Sequence, residues 1–66
     1  MDPTACFHEM LASLQDGDIE AAREHARNLK YWLDRGGFCP HGQNILAVRD
    51  RLAEVLQMTP AAHLNE

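Results

Sequence analysis

The sequence lacks the segments that would carry a chain into or across a membrane. It has no apolar run close to the roughly 18 residues that a membrane span needs. At its start it lacks a basic segment followed by an apolar one, which argues against a secretory signal peptide. Its two cysteines, without such a signal, are expected to stay reduced rather than form a disulfide. We therefore expect a cytoplasmic protein that does not bind a membrane.

Positive charge is scarce as well. Six basic and ten acidic residues give a formal net charge of −4, which provides no electrostatic attraction for nucleic acid. The 66 residues are enough for one domain with a small core, and small cores are often stabilised by a partner chain. So short a chain has little room for a substrate pocket, which typically occupies about 300 Å³ or more. We therefore expect neither nucleic-acid binding nor an enzyme, and we predict no catalytic residue and no cofactor.

The sequence does contain three helical segments, each with a capping residue at its start. Asp2, Asp18 and Asn44 each precede a segment with apolar residues at helical spacing, and their side chains can cap free backbone amides. Glycines follow the first two segments, at Gly17 and at Gly36-Gly37, and favour the ends of helices. The predicted helices span residues 3–16, 18–35 and 44–58.

The turn at Gly17 is so short that the first two helices are expected to form an antiparallel αα-hairpin. The predicted fold class is therefore all-α, a small three-helix bundle built on this hairpin. We assign residues 1–58 to the three-helix domain and residues 59–66 to a flexible C-terminal tail.

Apolar residues at helical spacing define the core face of each predicted helix. They are Phe7, Met10, Leu11 and Leu14 on the first helix, and Ile45, Val48, Leu52, Val55 and Leu56 on the third. The second helix carries a first stripe of Ile19, Ala22, Ala26, Leu29 and Leu33, and a second stripe of Ala21, His25 and Trp32 with Asn28 among them. So wide an arc is typical of a middle helix packed between two neighbours. We therefore expect Trp32 to be mostly buried against the first or third helix, and Phe38 to fold back onto the last turn of the second.

The segment Leu14–Ala22, followed by Ala26 and Leu29, resembles the turn and second helix of a tetratricopeptide repeat. In that family a glycine lies at the tight turn and small alanines let the two helices approach. The resemblance implies the helical hairpin, but one isolated repeat does not form the concave peptide-binding surface of an array. The chain also resembles short uncharacterised bacterial proteins, from Gly17-Asp18 to Gly36-Gly37-Phe38, which implies no activity.

Three side chains suggest an alternative, a metal- or thiol-dependent site. In an antiparallel bundle the start of the first helix lies near the glycine-rich loop after the second, so Cys6 could approach Cys39 and His41. Thiolates and imidazoles are zinc ligands. However, Cys39-Pro40-His41 does not have the spacing of a standard zinc motif, and a free cysteine also behaves as a small core residue. We expect His25, by contrast, to be a half-buried histidine that hydrogen-bonds a neighbour.

The edge of the third helix provides the function that the sequence favours. Leu46 and Ala53 lie off the core face, seven residues apart, with Arg49 between them. Apolar residues at that spacing form a stripe that a second copy could bury symmetrically. We therefore predict a non-enzymatic protein–protein interaction domain whose partner is a protein, in the first place a second copy in a homodimer. The predicted interaction residues are Leu46, Arg49 and Ala53.

Overall fold

The computed structural model describes residues 2–59 and contains three α-helices. They are α1 (Pro3–Gln15), α2 (Ile19–Asp34) and α3 (Ile45–Gln57), and no strand occurs among the residues described. The all-α, three-helix fold is confirmed, with each helix boundary within a residue or so of its prediction. Residues 60–66, which make up most of the predicted tail and include His63, lie outside the described residues.

The helices begin where the capping residues predict. The Asp2 carboxylate accepts hydrogen bonds from the amides of Thr4 and Ala5, at 3.0 and 3.2 Å. The Asn44 side chain does the same for Leu46 and Ala47, at 2.8 and 3.3 Å. The first amides of a helix have no partner within it, so these side chains both start the helix and stabilise it. In α2, Asp18 accepts from the amide of Ala21 at 3.2 Å.

The core is a single apolar cluster to which all three helices contribute. Its members are Phe7, Met10, Ala22, Ala26, Leu29, Leu33, Val48, Leu52 and Val55. Helix α2 lies in the middle, because α1 and α3 both pack along it and barely touch each other. The first stripe of α2 therefore faces both neighbours, as predicted, with Ile19 partly buried at its end. Leu11, Leu14 and Leu56 pack against the cluster from its edge.

Ile45 departs from the predicted core. Its side chain is 39% exposed, although the periodicity placed it on the core face of α3. Asp34, the last residue of α2, is bonded to Arg49, which lies one turn after Ile45 on α3. Ile45 therefore lies near the end of α2, where it is covered only in part. None of the helices in residues 2–59 combines the length and the apolar character needed to cross a bilayer.

Asp34 joins α2 to α3 at the surface. Its carboxylate accepts from Lys30 Nζ at 2.8 Å and from the Arg49 guanidinium at 3.0 Å. These two bonds hold the pKa of Asp34 below its ordinary value. Because a lowered pKa favours the folded state only while the carboxyl is ionised, this contribution is lost as the pH falls through that pKa. The Asp34 side chain is exposed, and solvent screens its charge, so its contribution to stability is small.

Candidate interaction surfaces

The predicted stripe on α3 lies at the surface. Leu46 is 70% exposed, more than any other large apolar side chain described, and Ala53 is also exposed. Arg49 is exposed but is held by Asp34, so only part of its guanidinium is free for a partner. Arg49 and Asp50 follow Leu46 by three and four residues, so they lie on opposite sides of the line from Leu46 to Ala53. The stripe therefore has a basic flank and an acidic flank.

The residues of the alternative metal- or thiol-dependent site do not form a group of metal ligands among residues 2–59. The loop after α2 does reach the start of α1, where the His41 amide donates to Thr4 Oγ1 at 2.8 Å. Cys6 Sγ, however, donates to the carbonyl of His25 at 3.3 Å, and Cys39 Sγ to the carbonyl of Gln43 at 3.4 Å. Thr4 and Cys6 are two residues apart on a helix and so point in nearly opposite directions.

It follows that the contact between Thr4 and His41 and the thiol of Cys6 lie on different sides of α1. Both cysteines are free, and no three potential ligands among residues 2–59 are grouped closely enough to hold a metal ion. The alternative of a metal- or thiol-dependent site at Cys6, Cys39 and His41 therefore gains no support from the geometry of residues 2–59. The loop after α2 does lie beside the start of α1, but each cysteine thiol is bonded to a different backbone carbonyl.

A groove of about 630 Å³ runs between α1 and the second half of α2, so the expectation that so short a chain has little room for a pocket missed this open feature. One wall belongs to α1 and comprises Asp2, Ala5, Cys6 and Glu9; the other belongs to α2 and comprises His25, Asn28, Tyr31, Trp32 and Arg35. The α2 wall contains most of the predicted second stripe. The α1 wall has the helical spacing i, i+3, i+4, i+7, but two of its members are acidic, so a search for apolar periodicity passes over it. We call this feature the α1/α2 groove.

Trp32 is only partly buried: it packs against the core cluster and also lines the α1/α2 groove. The expectation of a mostly buried ring against the first or third helix did not include this groove or the contact with the loop. The indole N–H donates to the carbonyl of Phe38 at 2.9 Å. The Phe38 ring meets the indole edge-to-face at 5.4 Å between centroids, so Phe38 does fold back onto the last turns of α2. It nevertheless stays 65% exposed.

Exposed aromatic rings therefore gather at one end of the molecule. Tyr31 is 65% exposed like Phe38, and the Arg35 guanidinium lies 5.2 Å from the centre of the Tyr31 ring. Tyrosine, tryptophan and arginine are the residue types most enriched among the energetically dominant contacts of protein interfaces. Phe38 and Tyr31 flank Trp32, so this end of the α1/α2 groove has the composition of a binding surface.

The other end of the groove carries a histidine–carboxylate pair. The His25 side chain is 30% exposed, and its Nδ1 lies 3.8 Å from a carboxylate oxygen of Glu9. His25 is thus partly buried, as expected, but 3.8 Å is too long for the hydrogen bond that we expected it to make, so Glu9 is only an ion-pair neighbour. Burial and, secondly, the negative charge of Glu9 raise the pKa of the Cys6 thiol. The thiol is therefore kept protonated, and only the thiolate is a strong nucleophile.

This raised pKa leads to a prediction about Cys6. We expect iodoacetamide to alkylate Cys6 more slowly in the native chain than in the unfolded chain. Glu9→Gln removes the smaller of the two causes, so it should speed up the native reaction by less than unfolding does. Glu54→Gln, an acid on α3, is the control and should change nothing. Peptide mass spectrometry measures the rate, and equal rates in native and unfolded chains would contradict the prediction.

Comparisons with known proteins do not assign the chain to a family. No protein-family model matches it, and neither a curated protein nor a solved structure shows significant similarity to it.

Proposed function

We propose that this chain is a non-enzymatic protein-interaction domain that forms a homodimer through the outer face of α3. The observation that carries the proposal is the 70% exposure of Leu46, on a helix whose opposite face is fully buried through Val48, Leu52 and Val55. Large apolar side chains scattered singly on a surface are ordinary. Leu46 is part of a stripe with Ala53, and a symmetric contact would bury the stripe of both copies at once.

The charges beside the stripe favour one orientation of the two helices. In a parallel pair, the basic flank with Arg49 would face the acidic flank with Asp50 and Glu54 of the second copy. In an antiparallel pair, like flanks would face each other, because positions 49 and 50 lie midway between Leu46 and Ala53. Opposite charges across an interface favour an orientation and like charges disfavour it. The proposed dimer is therefore parallel.

The size of the stripe limits the strength of the dimer. Helix α3 has 13 residues and is therefore about 20 Å long. A single short helix contributes less than the roughly 800 Å² per partner of a standard stable interface. We expect a weak, concentration-dependent dimer.

The test is a pair of glutamate substitutions in neighbouring positions. Leu46→Glu places a charge in the stripe, whereas Ala47→Glu places the same charge about 100° around the helix and outside it. Both positions lie in the first turn of α3, where a glutamate suits the helix dipole, so both variants should fold. By sedimentation equilibrium at tens of micromolar, the native chain and Ala47→Glu should dimerise and Leu46→Glu should be monomeric.

Two results would count against this proposal. A native chain that stays monomeric at these concentrations would remove the homodimer. A dimer that Leu46→Glu leaves intact would retain self-association but assign it to another surface.

A further inference from the structure

We propose that the α1/α2 groove receives an amphipathic helix of a partner protein, with basic residues along one flank of that helix and acidic residues along the other. This surface is separate from the α3 stripe, and the inference does not depend on the proposed homodimer. It concerns a different face of α2, the second stripe, which α1 and α3 leave partly uncovered.

The shape of the groove suits a helix. Its walls are the facing stripes of two packed helices, Asp2 to Glu9 on α1 and His25 to Arg35 on α2. The α1 wall is therefore about 10 Å long and the α2 wall about 15 Å, which gives a partner helix about two turns of contact along one and nearly three along the other. An amphipathic helix lying in a groove between helices, anchored at i, i+3, i+4 and i+7, is a recurring mode of peptide recognition.

The floor of the groove supplies an apolar anchor that is already in place. Cys6 and Ala5 lie on one side and the ring of Trp32 on the other. The indole is fixed by its hydrogen bond to Phe38 and by the backbone of Gly37 against its face. A partner therefore does not have to order this ring when it binds, and a preorganised aromatic contact loses less entropy on binding.

The charges of the two walls define the occupant. The α1 wall carries the carboxylates of Asp2 and Glu9, and the Glu9 side chain is 65% exposed. The α2 wall carries the guanidinium of Arg35 and the imidazole of His25. At one end of the groove Asp2 on α1 thus stands with the cationic Arg35 on α2, and at the other end Glu9 stands with the imidazole of His25. A helix between them is best matched when its flank along α1 is basic and its flank along α2 is acidic.

A second copy of this chain is a less suitable occupant. Its α3 stripe also has one basic and one acidic flank, but such a contact would join two different surfaces of the molecule. A contact of this kind does not close on itself unless a ring forms, and it builds open chains. We therefore favour a helix from another protein.

The experiment uses synthetic helical peptides of about 15 residues, long enough to hold some helix in water. Three peptides carry the same leucine stripe. The mixed peptide has lysines on one flank and glutamates on the other, and the two uniform peptides have either lysine or glutamate on both flanks. None contains tryptophan, so the emission of Trp32 reports binding. A peptide can lie in the groove in two opposite directions. In one of them the peptide with mixed flanks places its lysines along α1 and its glutamates along α2, whereas a peptide with uniform flanks always places one flank against a wall of like charge. We expect the mixed peptide to shift the emission to the blue and to bind at least about tenfold more tightly than the others.

Two alanines give a matched pair of variants. Ala5 and Ala47 occupy the same position, the third of their helices, and both are exposed and donate to their capping residue. Ala5→Gln narrows the groove and should weaken binding of the mixed peptide at least about tenfold, whereas Ala47→Gln should leave it unchanged. Circular dichroism checks that both variants are folded.

The peptide titration is repeated on Leu46→Glu, so that loss of the proposed homodimer cannot be mistaken for loss of the groove. Binding to that variant with native affinity supports the inference. The inference is overturned if the mixed peptide binds no more tightly than both uniform peptides, or if Ala5→Gln binds it as the native chain does. It is also overturned if the native chain sediments as species larger than a dimer that Ala5→Gln abolishes, because the groove would then hold a second copy.

Discussion

Leu29→Ala is expected to lower the free energy of unfolding by about 3 kcal/mol, within the range measured for buried leucines. Leu29 has no exposed surface and belongs to the first stripe of α2, which faces both α1 and α3. A chain of this length has a total stability of only about 3–10 kcal/mol, so the variant should be largely unfolded at modest urea concentrations. The loss should be read from urea denaturation followed by the helical circular dichroism signal.

Leu46→Ala is the matched control, because it removes the same atoms from a side chain that is 70% exposed. At protein concentrations too low for association it should change the stability by less than about 0.5 kcal/mol. Equal losses in the two variants would mean that the core does not centre on α2.

Gly37→Ala is the second large expected effect, and it acts through Trp32. A Cβ atom at position 37 would lie closer than 3.0 Å to three atoms of the indole ring. The ring cannot move aside without breaking its hydrogen bond to Phe38. Overpacking of this kind costs about 1–3 kcal/mol. We expect a lower unfolding midpoint and a red-shifted tryptophan emission in the folded state, because the ring is pushed towards solvent.

Gly36→Ala separates this contact from backbone strain. Gly36 has a φ of 92°, a conformation that suits glycine, and a Cβ there would meet nothing within 4 Å. The substitution should lower the stability by about 1–3 kcal/mol through strain alone and leave the emission of Trp32 unchanged. If Gly37→Ala also leaves the emission unchanged, the packing of the loop on the indole is not as described.

The helices could be predicted closely because their ends depend on local chemistry. Asp2, Asp18 and Asn44 lie next to the amides that they bind, so sequence neighbours alone determine these contacts. The core face of α2 could be predicted for the same reason, since the spacing of its apolar residues fixes which of them share a face.

The surfaces could not be predicted to the same extent. Periodicity identified the second stripe of α2 but not the fact that no helix fully covers it, so Trp32 was expected to be more deeply buried. The bond from Arg49 to Asp34 depends on how far α3 slides along α2, which no local pattern contains. The same offset leaves Ile45 near the end of α2, where it is covered only in part. The groove wall on α1 was missed because Asp2 and Glu9 interrupt its apolar character.

The measurement that tests the proposed function most directly is a search for contacts between copies in solution. Isotope-labelled and unlabelled chains are mixed, and filtered nuclear Overhauser spectra report only contacts between different copies. We expect contacts from the Leu46 methyl groups of one copy to Leu46 of the other, and from Ala53 to Ala53, as a parallel pairing of α3 requires. Contacts from Leu46 of one copy to Ala53 of the other would mean that the two helices pair antiparallel rather than parallel. A dimer without any contact between copies at α3 would contradict the account.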